Sequence, residues 1–367
     1  MEEEKLFYTL ALQSVKGVGD VTAKRLLQRF GDAQSVLTAS VSTLMKVEGM
    51  GDRLLSNLKS STVFKEAELA LARIVKHRIA VSYFEDQSYP QRLKHCEDGP
   101  VLLFSNQAQE WDNPRVISVV GTRNASRQGE AFCEQLIDEL AVYNPVIVSG
   151  FAFGIDIAAH RAAWKNRLKT VAVLGHGLLE IYPRAHRKYQ SIMEANGGFL
   201  TEFRAGSSMD KENFIRRNRI VAGLSEATII VESALKGGSM STARFANDYN
   251  REVLAVPGRV TDYYSQGCNE LIKWQQAQLV TAATDVVNIL QWNRPLKPKP
   301  PLQQQLFVHL SDAEQKIYDA LLKSGKQSLD VLAISCQLPV YQVSSLLLGM
   351  ELKGVVRPLP GKLFEAL

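Results

Sequence analysis

The stretch that decides the expected fold is the apolar run Val116-Ile117-Ser118-Val119-Val120, followed at once by Gly121-Thr122-Arg123-Asn124. Four of its five positions are apolar and they do not alternate with polar ones, which is typical of a parallel strand covered by helices on both faces. Similar strand-like runs recur at Val146–Ser149, Thr170–Leu174, Gly198–Glu202, Ala227–Val231, Glu252–Val256 and Gln278–Thr281, and helix-like runs between them include Ser126–Val142, Ile155–Lys165, Phe214–Leu224 and Ser239–Tyr249. This alternation predicts an α/β domain with a Rossmann-like, doubly wound, mostly parallel sheet.

Segments of a different character flank this predicted domain. The N-terminal part holds two short helical units, each with a G-x-G turn, at Gly17-Val18-Gly19 and Gly49-Met50-Gly51. This pattern indicates a helix-hairpin-helix or SAM-like domain, whose turn amides can hold a phosphate or serve only in packing. The C-terminal part predicts three helices and a hairpin, which is a winged helix. The expected boundaries are 1–75 for the helical domain, 76–112 for a connector joining the core, 113–291 for the Rossmann-like domain, 292–308 for a basic Pro-rich linker and 309–367 for the winged helix.

Composition narrows the class of protein. The 367 residues are 46% hydrophobic and carry a net charge of +5, which is typical of a folded protein and permits a polyanionic partner. No apolar run approaches the roughly 20 residues needed to cross a bilayer, and the acidic N-terminus does not resemble a secretory signal. The four cysteines lack C-x-x-C spacing, so we expect reduced thiols, no metal site and a cytoplasmic location.

Glycine-rich turns follow several predicted strands. The first turn lacks G-x-G-x-x-G, so the dinucleotide fingerprint is missing where it would be expected, and Arg123 stands there instead. Further turns contain Ser149-Gly150, Gly175 and Gly237-Gly238-Ser239. Because the carboxyl ends of parallel strands share one edge of the sheet, the turns predict an extended anion-binding edge without a bound cofactor.

A basic cluster lies between Arg204 and Arg219, with Phe214 among its cations. Basic side chains around an aromatic ring are what single-stranded DNA binding requires. The alternative is that Phe214 belongs to the core and the arginines lie on a solvated helix. Some of these cations must be structural, because neighbouring helical positions cannot all point the same way.

Two catalytic interpretations remain open. Asp156 and His160 are four residues apart on a predicted helix, so they can form an acid–base pair or, as we favour, a contact that stabilises the helix. Glu232 lies near the Gly237-Gly238 turn, an arrangement that related folds use to cleave the glycosidic bond of nucleotide monophosphates. A sensor of a small phosphorylated ligand is a third alternative.

Many ordered motifs resemble the DprA/Smf family of bacterial DNA-processing proteins. They are Val120-Gly121-Thr122-Arg123, Ser149-Gly150-Phe151-Ala152-x-Gly154-Ile155-Asp156, Val173-Leu174-Gly175-x-Gly177 with Tyr182-Pro183, Phe214-x-x-Arg217-Asn218-Arg219, Gly238-Ser239 and Ala255-Val256-Pro257-Gly258. The resemblance implies a homodimer that is not an enzyme, binds incoming single-stranded DNA during natural transformation and loads the RecA recombinase onto it. It also implies that Arg123, Lys211 and Phe214 are DNA contacts.

The residues expected to bind DNA are Gly121, Thr122, Arg123, Ser149, Gly150, Gly175, Lys211, Phe214, Arg217, Asn218, Gly237, Gly238 and Ser239. The chain departs from the family pattern at Ile215, Gly237 and Gln276, where proline, serine and glycine are usual. The predicted third helix of the winged domain ends with only Lys353 as a cation, so we expect that domain to contact protein or to pack rather than to read a DNA groove.

Overall fold

A computed structural model describes residues 2–109, 111, 113–207, 209–292, 310–359 and 363–366. The chain divides into two compact units, one up to residue 293 and one from residue 294. Apart from its first residue, the predicted linker at 292–308 lies outside the described residues.

The first unit begins with short helices packed around a leucine-rich core. Their bounds are α1 (Glu3–Ser14), α2 (Asp20–Phe30), α3 (Ala33–Thr38), α4 (Val41–Leu44), α5 (Asp52–Leu58) and α6 (Thr62–Lys76). Gly17 and Gly49 adopt φ values of 95° and 83°, which other residues rarely reach, so each predicted G-x-G turn requires its glycine. The two predicted helical hairpins are therefore confirmed.

A nine-stranded sheet forms the centre of the first unit. Its strands are β1 (Ala80–Tyr83), β2 (Leu102–Ser105), β3 (Val116–Val120), β4 (Val146–Ser149), β5 (Thr170–Val173), β6 (Phe199–Thr201), β7 (Ala227–Ile230), β8 (Glu252–Ala255) and β9 (Gln278–Leu279). Their order is β1-β2-β6-β5-β4-β3-β7-β8-β9, with all neighbours from β6 to β9 parallel. The predicted mostly parallel, doubly wound sheet is confirmed. The segment predicted as a connector adds β1 and β2 as an antiparallel extension of the sheet.

Helices cover both faces of this sheet, and all five residues of β3 are buried. The helices are α7 (Gln91–Lys94), α8 (Arg127–Leu140), α9 (Ile155–Lys165), α10 (Gln190–Ala195), α11 (Lys211–Leu224), α12 (Gly238–Asp248), α13 (Gln266–Lys273) and α14 (Ala283–Ile289). Helix α11 begins at Lys211, three residues before the predicted start. Because residues three apart share a helix face, Lys211 and Phe214 lie on one side of α11.

The second unit is the predicted winged helix. It contains α15 (Asp312–Ser324), β10 (Gln327–Ser328), α16 (Leu329–Cys336), α17 (Val340–Leu352), β11 (Val356–Leu359) and β12 (Leu363–Ala366), with strand order β10-β12-β11. A capping box starts α15, in which Ser311 Oγ accepts from the Glu314 amide and the Glu314 carboxylate accepts from the Ser311 amide. Lys353 Nζ lies 2.6 Å from Glu314 Oε1, so the cation after α17 is paired within the domain.

No single helix in the described ranges is long and apolar enough to cross a membrane. The pair Leu329–Cys336 and Val340–Glu351 reaches the required length and composition only together, with a bend of 108° between them.

Candidate nucleic-acid interface

A cleft of about 490 Å³ opens at the carboxyl ends of β3 and β7. The chain runs outward in opposite directions from these two adjacent strands, so the cleft lies at the switch point where ligands bind in open α/β sheets. Most of the predicted site residues line it: Gly121, Thr122, Arg123, Gly150, Lys211, Phe214, Arg217, Asn218, Gly237, Gly238 and Ser239.

Arg123, Lys211 and Phe214 form the part of the cleft that faces solvent. The Arg123 guanidinium lies 5.8 Å from the centroid of the Phe214 ring, within the range of a cation–π contact. Both cations are exposed, and Phe214 is half-buried. Two exposed cations thus border an aromatic ring whose surface is only partly covered.

Gly175 and Ser149 do not line the cleft, although both were predicted site residues. A Cβ atom on Gly175 would stand 2.9 Å from Phe214 Cδ1, so the missing side chain makes room for the ring. Ser149 is buried, and its hydroxyl donates to the Val119 carbonyl at 2.6 Å. Both residues shape the site from behind.

Arg217 lies in the floor of the cleft and is only 4% exposed. One terminal nitrogen donates to the carbonyls of Gly150 and Val173, at 2.7 Å for Gly150, and Nε donates to Asn218 Oδ1 at 3.1 Å. Burial lowers the pKa of Arg217 to about 10, still far above neutrality. The guanidinium is thus bound to main-chain carbonyls, a geometry that suits support of the turns better than direct phosphate contact.

Asp156 is the buried counter-charge of Arg217. Burial raises the pKa of the Asp156 carboxyl above its ordinary range, and the Arg217 guanidinium opposes that rise. Its Oδ2 also accepts from the Ala152 amide at 3.2 Å. Asp156 therefore offsets the buried charge of Arg217 and binds the turn after β4.

The expected contact between Asp156 and His160 is wrong. His160 Nδ1 pairs with Thr170 Oγ1 at 2.7 Å, and its buried Nε2 has no hydrogen-bond partner among the described residues. Burial lowers the pKa of His160 to about 3, so the ring is neutral at physiological pH. Helical spacing places Asp156 and His160 on one side of α9. Asp156 interacts with the charge of Arg217, however, and His160 binds Thr170 on the neighbouring strand β5. The same packing leaves no acid–base pair here.

Two further histidines near the cleft, His176 and His186, are held by main-chain carbonyls. His176 Nδ1 lies 2.9 Å from the Gly177 carbonyl oxygen and His186 Nδ1 lies 3.0 Å from that of Phe151. Within the described ranges, no cluster of three or more His, Cys, Asp or Glu side chains is arranged to hold a metal ion.

Three arginines of the predicted basic cluster join the N-terminal helices to the core. Arg216 and Arg219 each reach Glu202 Oε2 at 2.6 Å, and they reach Asp20 Oδ2 at 3.0 and 3.1 Å. Arg204 donates to Ser14 Oγ at 2.6 Å. For these three arginines the expectation that some cations of the cluster are structural is confirmed. The partners from the N-terminal helices, Ser14 and Asp20, lie 190 or more residues away in the sequence.

Glu232 does not face the cleft. Its Oε2 accepts from the Ser126 amide at 2.9 Å, and its Oε1 accepts from the Ser126 hydroxyl at 2.5 Å. A Cβ on Gly129 would stand 2.5 Å from Glu232 Cδ. The carboxylate is thus held against the first turn of α8, so the geometry gives no support to its use in glycosidic-bond cleavage.

Two tyrosines line the cleft that were not predicted as site residues. The Tyr182 ring is 42% exposed, and its centroid lies 5.6 Å from that of Phe214. Tyr264 accepts from Asn124 Nδ2 at 2.8 Å, which ties the loop after β8 to the loop that carries Arg123. A search for aromatic residues in every loop after a parallel strand would have found both.

Three segments of the chain match known families. Residues 80–291 match DNA recombination-mediator protein A, residues 297–362 match the DprA winged helix domain, and residues 9–61 match the SAM-like helix-hairpin-helix tandem.

Individual proteins show the same similarity. Protein Smf of Escherichia coli (strain K12) is 35% identical over 280 residues, which cover 76% of this chain and 75% of that protein. The X-ray structure of DNA processing protein A from Streptococcus pneumoniae matches with a TM-score of 0.63 and 31% identity, over 78% of this chain and 98% of that one. A structure concerned with the single-stranded DNA binding mode of DNA processing protein A from Helicobacter pylori matches with a TM-score of 0.53 and 30% identity, over 59% of this chain and 98% of that one.

Proposed function

The chain belongs to the DNA recombination-mediator protein A family, the DprA/Smf family that its motifs resemble, and we propose that it binds single-stranded DNA in the cleft. One observation carries the proposal: the Arg123 guanidinium lies over the Phe214 ring, and Lys211 begins α11, the helix that carries Phe214. The single-stranded DNA binding mode described for the Helicobacter pylori relative supports it.

The cleft supplies the two kinds of contact that a single strand needs. Arg123 and Lys211 offer charge to phosphates, and the first turn of α12, at Gly238 and Ser239, adds main-chain amides and the positive end of a helix dipole. Phe214 offers a ring on which a base can stack, worth about 1–3 kcal/mol. Bases in a duplex are already stacked on each other, so this combination favours single strands. Arg217, Ser149 and Gly175 support these groups from below.

The test removes the two exposed cations together. Arg123→Ala with Lys211→Ala should weaken binding of oligo-dT by a few kcal/mol, and each lost phosphate contact should lower the salt slope by about 0.7. Fluorescence anisotropy at two salt concentrations measures both quantities. Arg29→Ala is the matched control, because Arg29 is exposed on α2 and lines neither this cleft nor any other described one. Unchanged affinity and slope in the double variant would refute the proposal.

We further propose that the protein is a cytoplasmic homodimer that protects incoming DNA during natural transformation and delivers it to RecA, rather than an enzyme. The description of its family as recombination mediators supports this role. RecA-driven strand exchange on DNA coated with single-strand binding protein should start faster when the protein is added, and sedimentation should give the mass of two chains. Strand exchange that starts no faster would contradict delivery of DNA to RecA, and a sedimentation mass of one chain would contradict the homodimer.

A further inference from the structure

A second, larger cleft of about 1040 Å³ begins where the first one ends. It lies between the start of α8 and the loop of residues 256–265 that follows β8. Tyr264 lines both clefts, and its hydroxyl accepts from Asn124, the residue after Arg123. The two clefts therefore meet at Tyr264, beside the loop that carries Arg123.

Tyr263 offers a stacking surface in this second cleft. Its side chain is 63% exposed, although it is a large ring in a loop whose backbone is held by hydrogen bonds. The ring packs edge to face on Tyr264 with centroids 5.1 Å apart, so one side is supported by its neighbour. A supported but exposed ring beside Tyr264 is suited to stacking with a base.

Arg127 and Arg259 supply positive charge on the two walls of the second cleft. Both are exposed, and in the described part of the chain neither forms an ion pair. Two lining carboxylates oppose them. Glu232 is bound by the amide and hydroxyl of Ser126, whereas Asp262 is exposed.

We propose that the second cleft is a further DNA subsite, in which Tyr263 stacks with a base and Arg127 and Arg259 contact phosphates of the strand leaving the first cleft. This inference rests on the proposed function, because it assigns the path of the same strand. It predicts a specific dependence of affinity on length: short oligomers fill the first cleft, and only longer ones gain the second.

The test compares binding of labelled oligo-dT of about 4 and about 12 nucleotides, lengths within the range that single-strand binding modules cover. Tyr263→Ala with Arg259→Ala should weaken binding of the long oligomer about ten-fold and leave the short one within about two-fold. Tyr263→Phe should bind like the wild type, because the ring is kept. Asp262→Asn should strengthen binding of the long oligomer only. Arg29→Ala is the charge control.

Several outcomes would overturn the inference. One is unchanged binding of the long oligomer, and another is an equal loss at both lengths. A third is a changed oligomeric state with the length dependence preserved, which would make this surface a contact between copies of the chain. Arg123→Ala separates these outcomes from failure of the proposed function, since that variant should weaken both lengths. If it weakens neither, the first cleft itself is wrong.

Discussion

Replacing Arg217 by methionine tests whether this arginine supports the cleft or contacts DNA. Methionine has a similar length but carries no charge and no donors. In the variant the buried Asp156 carboxylate loses its counter-charge, and the carbonyls of Gly150 and Val173 lose a donor. The perturbation therefore acts on stability more than on the charge that faces DNA.

The expected magnitude follows from burial. Arg217 and Asp156 are 4% and 7% exposed, so solvent can do little to compensate the remaining charge. Leaving a buried charge without its counter-charge costs about 3–5 kcal/mol. We expect the free energy of unfolding to fall by about 4 kcal/mol. Adding Asp156→Asn should restore part of this loss, because the unpaired charge is then gone.

Urea unfolding followed by tryptophan fluorescence is the assay. All four tryptophans, Trp111, Trp164, Trp274 and Trp292, lie in the first unit, so the signal reports on that unit and not on the winged helix. The midpoint and slope give the change in the free energy of unfolding. Anisotropy at two salt concentrations adds the DNA measurement, in which the salt slope should match the wild type.

The pH dependence of the variant has a definite sign. Burial raises the pKa of Asp156, and removing Arg217 raises it further. A carboxyl whose folded pKa lies above its unfolded value near 3.8 takes up a proton more readily when folded, so it loses stability as the pH rises above that value. The loss of unfolding free energy in the Arg217→Met variant, relative to the wild type, should thus be largest at neutral pH and smaller as the pH falls. A loss below about 1 kcal/mol, or a salt slope lowered as much as by Arg123→Ala, would refute the supporting role.

Three further predictions concern other parts of the chain. Gly175→Ala places a methyl group 2.9 Å from the Phe214 ring. The free energy of unfolding should fall by about 1–3 kcal/mol in thermal unfolding, and anisotropy should show weaker binding of oligo-dT. Unchanged binding would contradict this prediction. Asp20→Ala removes a buried counter-charge that links the N-terminal helices to the core, so limited proteolysis of these helices should become faster. Equal cleavage rates in the variant and the wild type would show that this ion pair does not hold the helices in place. Lys353 holds the pKa of Glu314 below its usual 4.5, which adds stability that is lost as the pH falls. Lys353→Ala should weaken this acid dependence and leave only the part due to the Ser311 hydrogen bonds, as hydrogen exchange of α15 would show; an unchanged dependence would contradict the pairing.

Much of the fold could be predicted from local pattern. The mostly apolar run of β3 indicates a covered parallel strand, and the same rule found the other parallel strands to within one or two residues at most ends. The glycine turns could be located because parallel strands end at one edge of the sheet. Arg123 could be predicted because it stands in the turn directly after β3, and this turn lines the cleft in the structure.

The sequence by itself determined which segments are strands and helices, and hence that the glycine- and arginine-bearing turns meet at one edge. These features depend on neighbours a few residues apart. Only the tertiary structure decided where each cation of α11 lies and which groups it contacts. Lys211 borders the cleft, Arg217 lies beneath it, and Arg216 and Arg219 pair with Asp20 and Glu202. A guanidinium can be buried only where a carboxylate or carbonyl meets it, and those partners come from distant parts of the chain.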